Sequence, residues 1–566
     1  MSPQHSKVSP PYNERGTVTK DQNAVDDGAA PRRVSINREV LGQSNEAAAA
    51  TEAEHQRSLW QNLKLHHHAV GWSVLLSTAI IMEGFDIVLI QSLLAVAEFQ
   101  RNFGEQLPDG SYQVTAAWQA GFTNGAIVGE LIGLMLNGII ADKFGFKKTM
   151  IGALSLVTAF IFIPFFAHNI VQLLVGLILM GIPWGVFQTL TCTYAAEVCP
   201  TGLRAYLTTY VNLCWVIGQF LASAVLVGVQ GRDDQWAYRI PYALQWLWPV
   251  PLIVGIFFAP ESPWWLVRKQ RYDEAKHTLR RLISRNAPAS TIDETLTMIH
   301  ETNELEKSIS EGTSYVDCFK GVDLRRTEIV CVTWLIQTAA GATFMGYSTY
   351  FYQQAGLDDN SAFRLSLGQY GLGAVGTVIS WFLMMRFGRR TLYLSGLILL
   401  CALWLIIGFC GLAPRDNERA QQAIGSMLLI FTFVYDCTIG PVCYSLVAEL
   451  SSTRLRQKSV VLARNLYNVG SIICNILVTR QLNPGAWNWG AKTGFFWGGS
   501  CFLCLVWTFF RLPEPKDRTY AELDVLFENK VSARKFESTV IHELASKHAP
   551  AAVVREKEAS ERIEKA

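Results

Sequence analysis

This sequence carries little charge where a water-soluble protein of its size would need it. Only 17% of its 566 residues are charged, and these gather at the two ends and in one central stretch. Between those patches the chain is almost continuously apolar. Runs such as Ile151 to Phe166, Ala243 to Phe258 and Thr391 to Leu412 approach or meet the ~20 residues that cross a hydrocarbon core. A soluble globular domain is thereby excluded. The net charge of +2 is small and its basic residues are scattered, which argues against nucleic acid as a partner. Catalytic signatures are also missing: there is no nucleophile elbow, no HExxH and no nucleotide loop, so an enzyme is not expected. Gly371-Leu372-Gly373-Ala374-Val375-Gly376 matches a dinucleotide fingerprint, but no strand precedes it, and close helix packing is the better reading. Most of the twelve cysteines, among them Cys192, Cys214, Cys401, Cys474 and Cys504, fall inside apolar runs and read as free thiols between helices. Cys501 and Cys504 lack the second pair of a metal site, and His66, His67 and His68 read as interfacial, so neither metal nor cofactor is expected. The first 58 residues are rich in Ser, Pro, Ala and charge, which predicts a disordered tail. They lack the short apolar core of a cleavable signal, so insertion is expected to start from the first span, near Val70 to Val96.

What is present is a series of spans. Hydropathy places them near 70–97, 116–140, 150–166, 171–195, 205–229, 240–259, 328–353, 364–385, 391–412, 422–447, 458–480 and 492–511. An even number puts both tails on one side. Lys143, Lys147 and Lys148 follow span two, and Arg386, Arg389 and Arg390 follow span eight, while opposite loops mix signs, as in Arg232, Asp233 and Asp234 or Arg415, Asp416 and Glu418. The positive-inside rule then makes both tails and the polar stretch Glu261 to Arg326 cytoplasmic. That stretch holds two helical patterns, one from Tyr272 to Ser284 and one opened by Ser290 with Asp293 three residues on, a capping-box-like start.

The two halves repeat. Glu197 and Arg204 recur as Glu449 and Arg456, both offset by 252, and Pro260-Glu261 recurs as Pro513-Glu514, offset by 253. Gly145 before two lysines matches Gly388 before two arginines, offset by 243. Shared spacings of this kind indicate a duplicated six-helix unit with a solute path between the halves. The expected divisions are a tail at 1–58, a first bundle at 59–259, a cytoplasmic helical linker at 260–326, a second bundle at 327–511 and a cytoplasmic tail at 512–566.

The loops carry a family resemblance. Asp142-Lys143-Phe144-Gly145-Phe146-Lys147-Lys148, Arg386-Phe387-Gly388-Arg389-Arg390, Pro260-Glu261-Ser262-Pro263 and Pro513-Glu514 with Arg518-Thr519 and Glu522-Leu523 resemble the sugar porter motifs of the major facilitator superfamily, with Phe146 and Trp264 where arginine is usual. The resemblance covers roughly residues 70 to 528 and implies an all-α integral membrane protein with the major-facilitator fold, twelve transmembrane helices in two six-helix bundles. Asp142, Lys147, Lys148, Glu197, Arg204, Glu261, Arg386, Arg389, Arg390, Glu449, Arg456 and Glu514 are assigned to gating, because carboxylates there can pair with cations and cap helix ends while the cytoplasmic side is closed.

The most informative residues are charges at membrane depth, each costing at least ~2.5–3.5 kcal/mol on insertion scales. Glu83 and Asp86 lie mid-span one, three apart on one helical face; Glu130 lies in span two and Arg464 in span eleven. No other intramembrane charge reads as equally central. Three acids facing a common cavity with one base leave excess negative charge, and repulsion with desolvation lets at least one acid hold a proton near physiological pH. This is the chemistry of solute and proton moving together; a static buried ion pair is the blander alternative. The resemblance implies a span-one acid, matching Asp86, opposed by a span-four arginine, but the matching position is Leu177. Arg464 stands where the family commonly has a sugar-contacting glutamine. This combination, with Pro-Glu-Ser-Pro-Trp-Trp, is similar to the fungal α-glucoside (maltose-type) proton symporters.

For the sugar, the resemblance points to Asn212, Gln219, Gln337, Thr343, Tyr347, Tyr444, Asn465 and Asn468, polar groups and aromatic faces suited to hydroxyls and ring faces. Thr343, Tyr444 and Asn465 replace larger side chains common in hexose carriers, which suits a disaccharide. The expected function is import of α-glucosides such as maltose by proton symport through alternating access, with a hexose facilitator or a non-transporting sugar sensor as alternatives. Expected partners are the sugar, protons and the lipid bilayer, with a monomeric chain in the plasma membrane.

Overall fold

The computed structural model describes residues 59–539 apart from 108–109, 285–287, 311–313, 415–416, 453–454, 517 and 519. The side chains of 59, 201, 202, 204, 205, 208, 289, 305, 306, 308–310, 457 and 520–522 also lie outside the description. The expectations for the tails at 1–58 and 540–566, for Arg415, Asp416 and Thr519, and for the side chains of Arg204 and Glu522 fall outside it.

Among the described residues, twelve helices are long and apolar enough to cross a membrane: His67–Leu93, Ala116–Phe144, Phe146–Phe165, Ile170–Val198, Thr209–Val229 and Trp236–Phe258, then Gly321–Gly346, Asp359–Arg386, Arg389–Cys410, Glu418–Leu450, Lys458–Leu482 and Gly490–Arg511. These are spans one to twelve. Span one stops at Leu93 rather than running to 97, because Leu94 and Ala95 are buried in a turn and remain apolar without being helical. A short helix, Ala97–Phe103, and a two-stranded antiparallel ribbon pairing Glu105–Gln106 with Tyr112–Gln113 complete that connection. Span seven starts at Gly321 rather than 328, which ends the linker at 320 instead of 326. Its first turns are polar and escape hydropathy, yet Arg326 is buried there because it donates to the carbonyls of Leu450 and Ser451, at 3.0 and 2.9 Å, and pairs with Asp524.

The inferred duplication is visible as packing. In the first half spans one and five, two and four, and three and six pack together; in the second half the partners are seven and eleven, eight and ten, and nine and twelve. Between halves, span five packs on span eight and span eleven on span two, related by the same exchange. Small residues allow the close approaches. A Cβ on Gly129 or Gly133 of span two would strike the carbonyls of Ile178 or Ile182 in span four, and one on Gly181 or Gly185 would strike those of Ala126 or Glu130. Gly84 meets the Trp215 carbonyl and Gly218 that of Ile81 in the same way. The helices that carry Glu83 and Glu130 are therefore held backbone to backbone.

Several spans are broken, among them span three at Ile161 and span six at the 3-10 turn Gln245–Leu247. Span one is interrupted at Thr78 between His67–Ser77 and Ala79–Leu93. Span seven unwinds through a π-helical turn at Thr338–Ala342, where Gly341 takes φ 96° against the Trp404 ring. Span ten breaks at Thr438, with φ −127° and ψ −78°, ahead of Gly440-Pro441.

The linker holds helices Pro263–Arg268, Tyr272–Leu282 and Ala289–Ser310 and a 3-10 turn at Tyr315–Phe319. Ser290 lies inside its helix rather than opening it; the capping box occurs at Ser314 and Asp317, where both reciprocal bonds form. The described part of the C-terminal tail is docked on the second half. Helix Tyr520–Glu528 buries Leu523, Leu526 and Phe527, and Arg325 donates to the Val531 carbonyl at 2.9 Å. All twelve cysteines are free thiols.

Candidate transport site

Glu130 and Arg464 meet across the two halves. Arg464 Nη2 lies 3.3 Å from Glu130 Oε1, and Asn468 Nδ2 donates to the same oxygen at 3.3 Å. The Arg464 guanidinium also lies over the Tyr467 ring at 4.6 Å and the Trp334 ring at 5.5 Å. Tyr467, one helical turn from Arg464, and Trp334 of span seven thus hold the cation from the second half. Glu83 adds a second carboxylate in the field of this pair. Its Oε1 accepts from Gln188 of span four, while Oε2 has no partner.

Asp86 stands apart from that group. It is 1% exposed and neither carboxyl oxygen has a hydrogen-bond partner. It turns towards span six, where Gln245 and Tyr242 face it. The expectation of three acids around one base therefore divides into a cluster of Glu83, Glu130 and Arg464 and a neighbouring lone acid. The physical reason is helical geometry: residues three apart share a face but differ by ~4.5 Å along the axis, enough to meet different spans.

The candidate sugar groups are distributed as follows. Gln337 Oε1 accepts from the Tyr435 hydroxyl at 2.8 Å, and its Nε2 is a buried donor without an acceptor. Asn212 Nδ2 on span five is another, and Gln219, two turns further on, is 6% exposed. Thr343 follows the π-helical turn of span seven; Tyr444 stacks edge-on against Trp334 at 5.7 Å; Asn465 is half-buried. Two candidates are already engaged: Asn468 on Glu130, and Tyr347, whose hydroxyl bonds that of Thr123 at 2.8 Å.

The gating candidates form two matching sets. Glu261 accepts from the main-chain N–H of Phe146 at 2.9 Å and of Lys147 at 3.2 Å, capping span three. Glu514 accepts from those of Arg389 at 2.8 Å and Arg390 at 3.0 Å, capping span nine. A Cβ on Gly145 or Gly388 would strike the carboxylate concerned, which accounts for the repeated glycine. Burial holds the Glu261 carboxyl above the usual carboxylate range, against the pull of its main-chain donors. Glu197 pairs with Arg268 at 2.8 Å and accepts from Ser262, Asp142 pairs with Lys269 at 3.1 Å, and Glu449 pairs with Arg389 at 3.2 Å. Lys147 lies over Phe257 at 5.2 Å and Arg390 donates to the Phe509 carbonyl at 2.9 Å. Lys148 and Arg386 are exposed, and Arg456 begins the span-eleven helix. These bonds stay within one half and its adjoining linker or tail.

A model described as "Sugar (and other) transporter" matches residues 72–527. The chain belongs to this sugar transporter family. It is 44% identical over 519 residues to an alpha-glucosides permease of Saccharomyces cerevisiae, covering 90% of this chain and 86% of that one. A maltose permease of the same organism is 42% identical over 525 residues, covering 92% and 85%. Among solved structures, the xylose transporter XylE from E. coli in a partially occluded inward open conformation aligns with a TM-score of 0.66 at 15% identity, over 80% of this chain and 100% of that one. The same fold appears in the proton:xylose symporter XylE bound to 6-bromo-6-deoxy-D-glucose, with a TM-score of 0.65 at 17% identity, over 82% and 99%. The fold is that of the major facilitator superfamily.

In this sugar transporter the halves are bonded at the end away from the linker. Gln113 and Gln119 donate to the Tyr350 hydroxyl at 2.7 and 3.3 Å, Asn475 donates to Asn124 at 3.1 Å, Asn483 to the Val114 carbonyl at 3.0 Å and Gln353 to the Ala95 carbonyl at 3.0 Å. At the linker end Tyr206 donates to Met385 Sδ at 3.7 Å across the halves. The outer bonds escaped sequence reasoning, as did Gln188, because an amide in an apolar run does not declare its partner. Asp436 also escaped it. This acid is buried in span ten, so the expectation that no other intramembrane charge is as central is corrected; its position within the run 422–447 was the available signal.

Proposed function

We propose that this protein imports α-glucosides such as maltose by proton symport through alternating access, in the plasma membrane with both termini cytoplasmic. The observation that carries the reading is the Glu130–Arg464 bridge between halves, with Glu83 beside it and Asp86 without a cation. With Glu83 protonated, Arg464 and Glu130 balance each other. With Glu83 ionised, the cluster holds two acids on one cation, and Arg464 is drawn in two directions. The proton thereby changes the strength of the link between spans two and eleven, and that link lies on the surface where the halves must separate.

The relatives' substrates support α-glucosides, and the unpaired amide donors of Gln337 and Asn212 supply groups for sugar hydroxyls from both halves. Orientation rests on the basic loops after spans two and eight. The bonds at the opposite end then describe a state closed to the outside. Uptake of labelled maltose and glucose, with and without an uncoupler, tests the reading in wild type and Asp86→Asn. Concentrative, uncoupler-sensitive maltose uptake that the variant loses is the expected result. Equilibration without accumulation in both proteins would reduce the chain to a facilitator.

A further inference from the structure

We propose that Asp436 is a second proton-binding site, placed in the second half and separate from Glu83, Glu130 and Arg464, and that its proton travels in the transport cycle. The inference rests on the symport reading above.

Asp436 is 6% exposed and lies two residues before the break in span ten. It is seated in the glycine run of span eight: a Cβ on Gly373 would strike its Oδ2, and one on Gly376 would stand 3.3 Å from its Cβ. The run that mimics a nucleotide fingerprint is thus the cradle of a carboxyl group. Among the described residues no lysine, arginine or histidine pairs with it. Its neighbours' hydroxyl hydrogens are committed elsewhere. Tyr370 donates to the Met345 carbonyl, Tyr435 to Gln337 at 2.8 Å, Thr432 to the Leu428 carbonyl at 3.2 Å and Thr377 to the Gly373 carbonyl at 3.1 Å. Within the protein a charged carboxylate here would find neither a counterion nor a hydroxyl donor, which favours the neutral acid while the group sits in the cradle.

The titratable groups facing it among the described residues are Tyr370 from span eight and Tyr435 and Cys437 from its own helix; none faces it from span nine, from Ile439–Leu450 or from Ser348–Gln354. Movement at Thr438 changes what covers the carboxyl. Exposure to water lets the acid release its proton to become carboxylate, and return to the glycine cradle requires that a proton be taken up again. Tyr435 links this site to the sugar candidate Gln337, since its hydroxyl bonds that side chain while its ring neighbours Asp436.

The test uses the full chain in liposomes, comparing wild type with Asp436→Asn, which keeps the shape and fixes the neutral form. Proton and maltose fluxes are recorded together, and maltose counterflow is measured from pH 5 to 8. The expected variant retains counterflow, loses one proton per maltose relative to wild type, and loses the part of the alkaline decline that wild type shows. A wild-type ratio and pH profile in the variant would overturn the proposal. A purely structural role would lower counterflow at every pH without moving the ratio, which also overturns it. Should the variant fail to fold, carbodiimide labelling of wild type at neutral pH, read by mass spectrometry, decides: modification of Asp436 supports a protonated carboxyl and its absence refutes one. If wild type itself moves no protons with maltose, the symport reading fails; if it does and the variant matches it, only this inference fails.

Discussion

Replacing Arg464 by methionine should damage the protein more than replacing its partner Glu130 by glutamine. At an effective dielectric of about 20, unit charges at the 3.3 Å separation of this pair attract by roughly 5 kcal/mol. Much of that offsets the cost of withdrawing both groups from water, whereas leaving one partner buried alone costs about 3–5 kcal/mol. Arg464→Met strands two carboxylates, Glu130 and Glu83, with one amide donor each from Asn468 and Gln188. Glu130→Gln leaves Arg464 with Glu83 nearby and two aromatic faces. The double variant should recover part of the loss, with a coupling of about 1–3 kcal/mol. Unfolding in detergent followed by tryptophan fluorescence, for the two single variants and the double, gives the cycle. Uptake should separate from stability: the double variant is expected to exchange maltose but not to accumulate it. Equal destabilisation of Arg464→Met and the double variant would refute the pairing. Concentrative uptake by the double variant would refute its role in coupling.

Tyr350→Phe removes the acceptor shared by Gln113 and Gln119, and should weaken the outer closure by about 1–2 kcal/mol, seen as faster thiol labelling of a cysteine placed at Asn124. Gly181→Val forces a branched side chain onto the carbonyl of Ala126 and should cost about 1–3 kcal/mol or more, read as lower yield and thermal stability of the folded transporter. Glu261 has a sign that can be checked by pH: its folded value is raised by burial, so its contribution is fully present below the unfolded value and is lost as pH rises through the folded one. Stability measured against pH should therefore show Glu261→Gln gaining on wild type as the pH rises from acid towards neutral. Gln337→Ala should weaken maltose binding about tenfold, the equivalent of one hydrogen bond, in a ligand-protected melting assay.

The spans were legible because the bilayer imposes one long-wavelength signal, and the duplication because Glu261 and Glu514 perform one task, capping spans three and nine. The charges at Glu83, Glu130 and Arg464 were legible for the same reason: each interrupts an apolar run at a known cost. Their partners were not. Gln188 replaces a cation on span four, where Leu177 stands at the position the family resemblance singled out, and nothing in a glutamine's local sequence distinguishes a carboxylate partner from a helix contact. Polar starts of buried helices were likewise invisible, as Arg326 shows, because its burial depends on carbonyls and an aspartate more than a hundred residues away.

The distribution of bonds also limits how the molecule can move. Glycine contacts lock span one to five and two to four, and the Glu261 and Glu514 caps lock loop to helix, all inside one half. Across the halves, spans five and eight and spans two and eleven pack together, joined among the described residues by side-chain bonds at the outer end, by the Glu130–Arg464 pair at mid-depth and by Tyr206 on Met385 at the linker end. Breaking the outer bonds requires no change in either half's core, so rocking of one half against the other is the least costly motion. The mid-depth pair lies on that dividing surface, and its carboxylate belongs to a helix whose partner glycines forbid independent sliding. On the symport reading proposed above, a proton arriving at Glu83 would therefore act on the contact between halves rather than on the shape of either one.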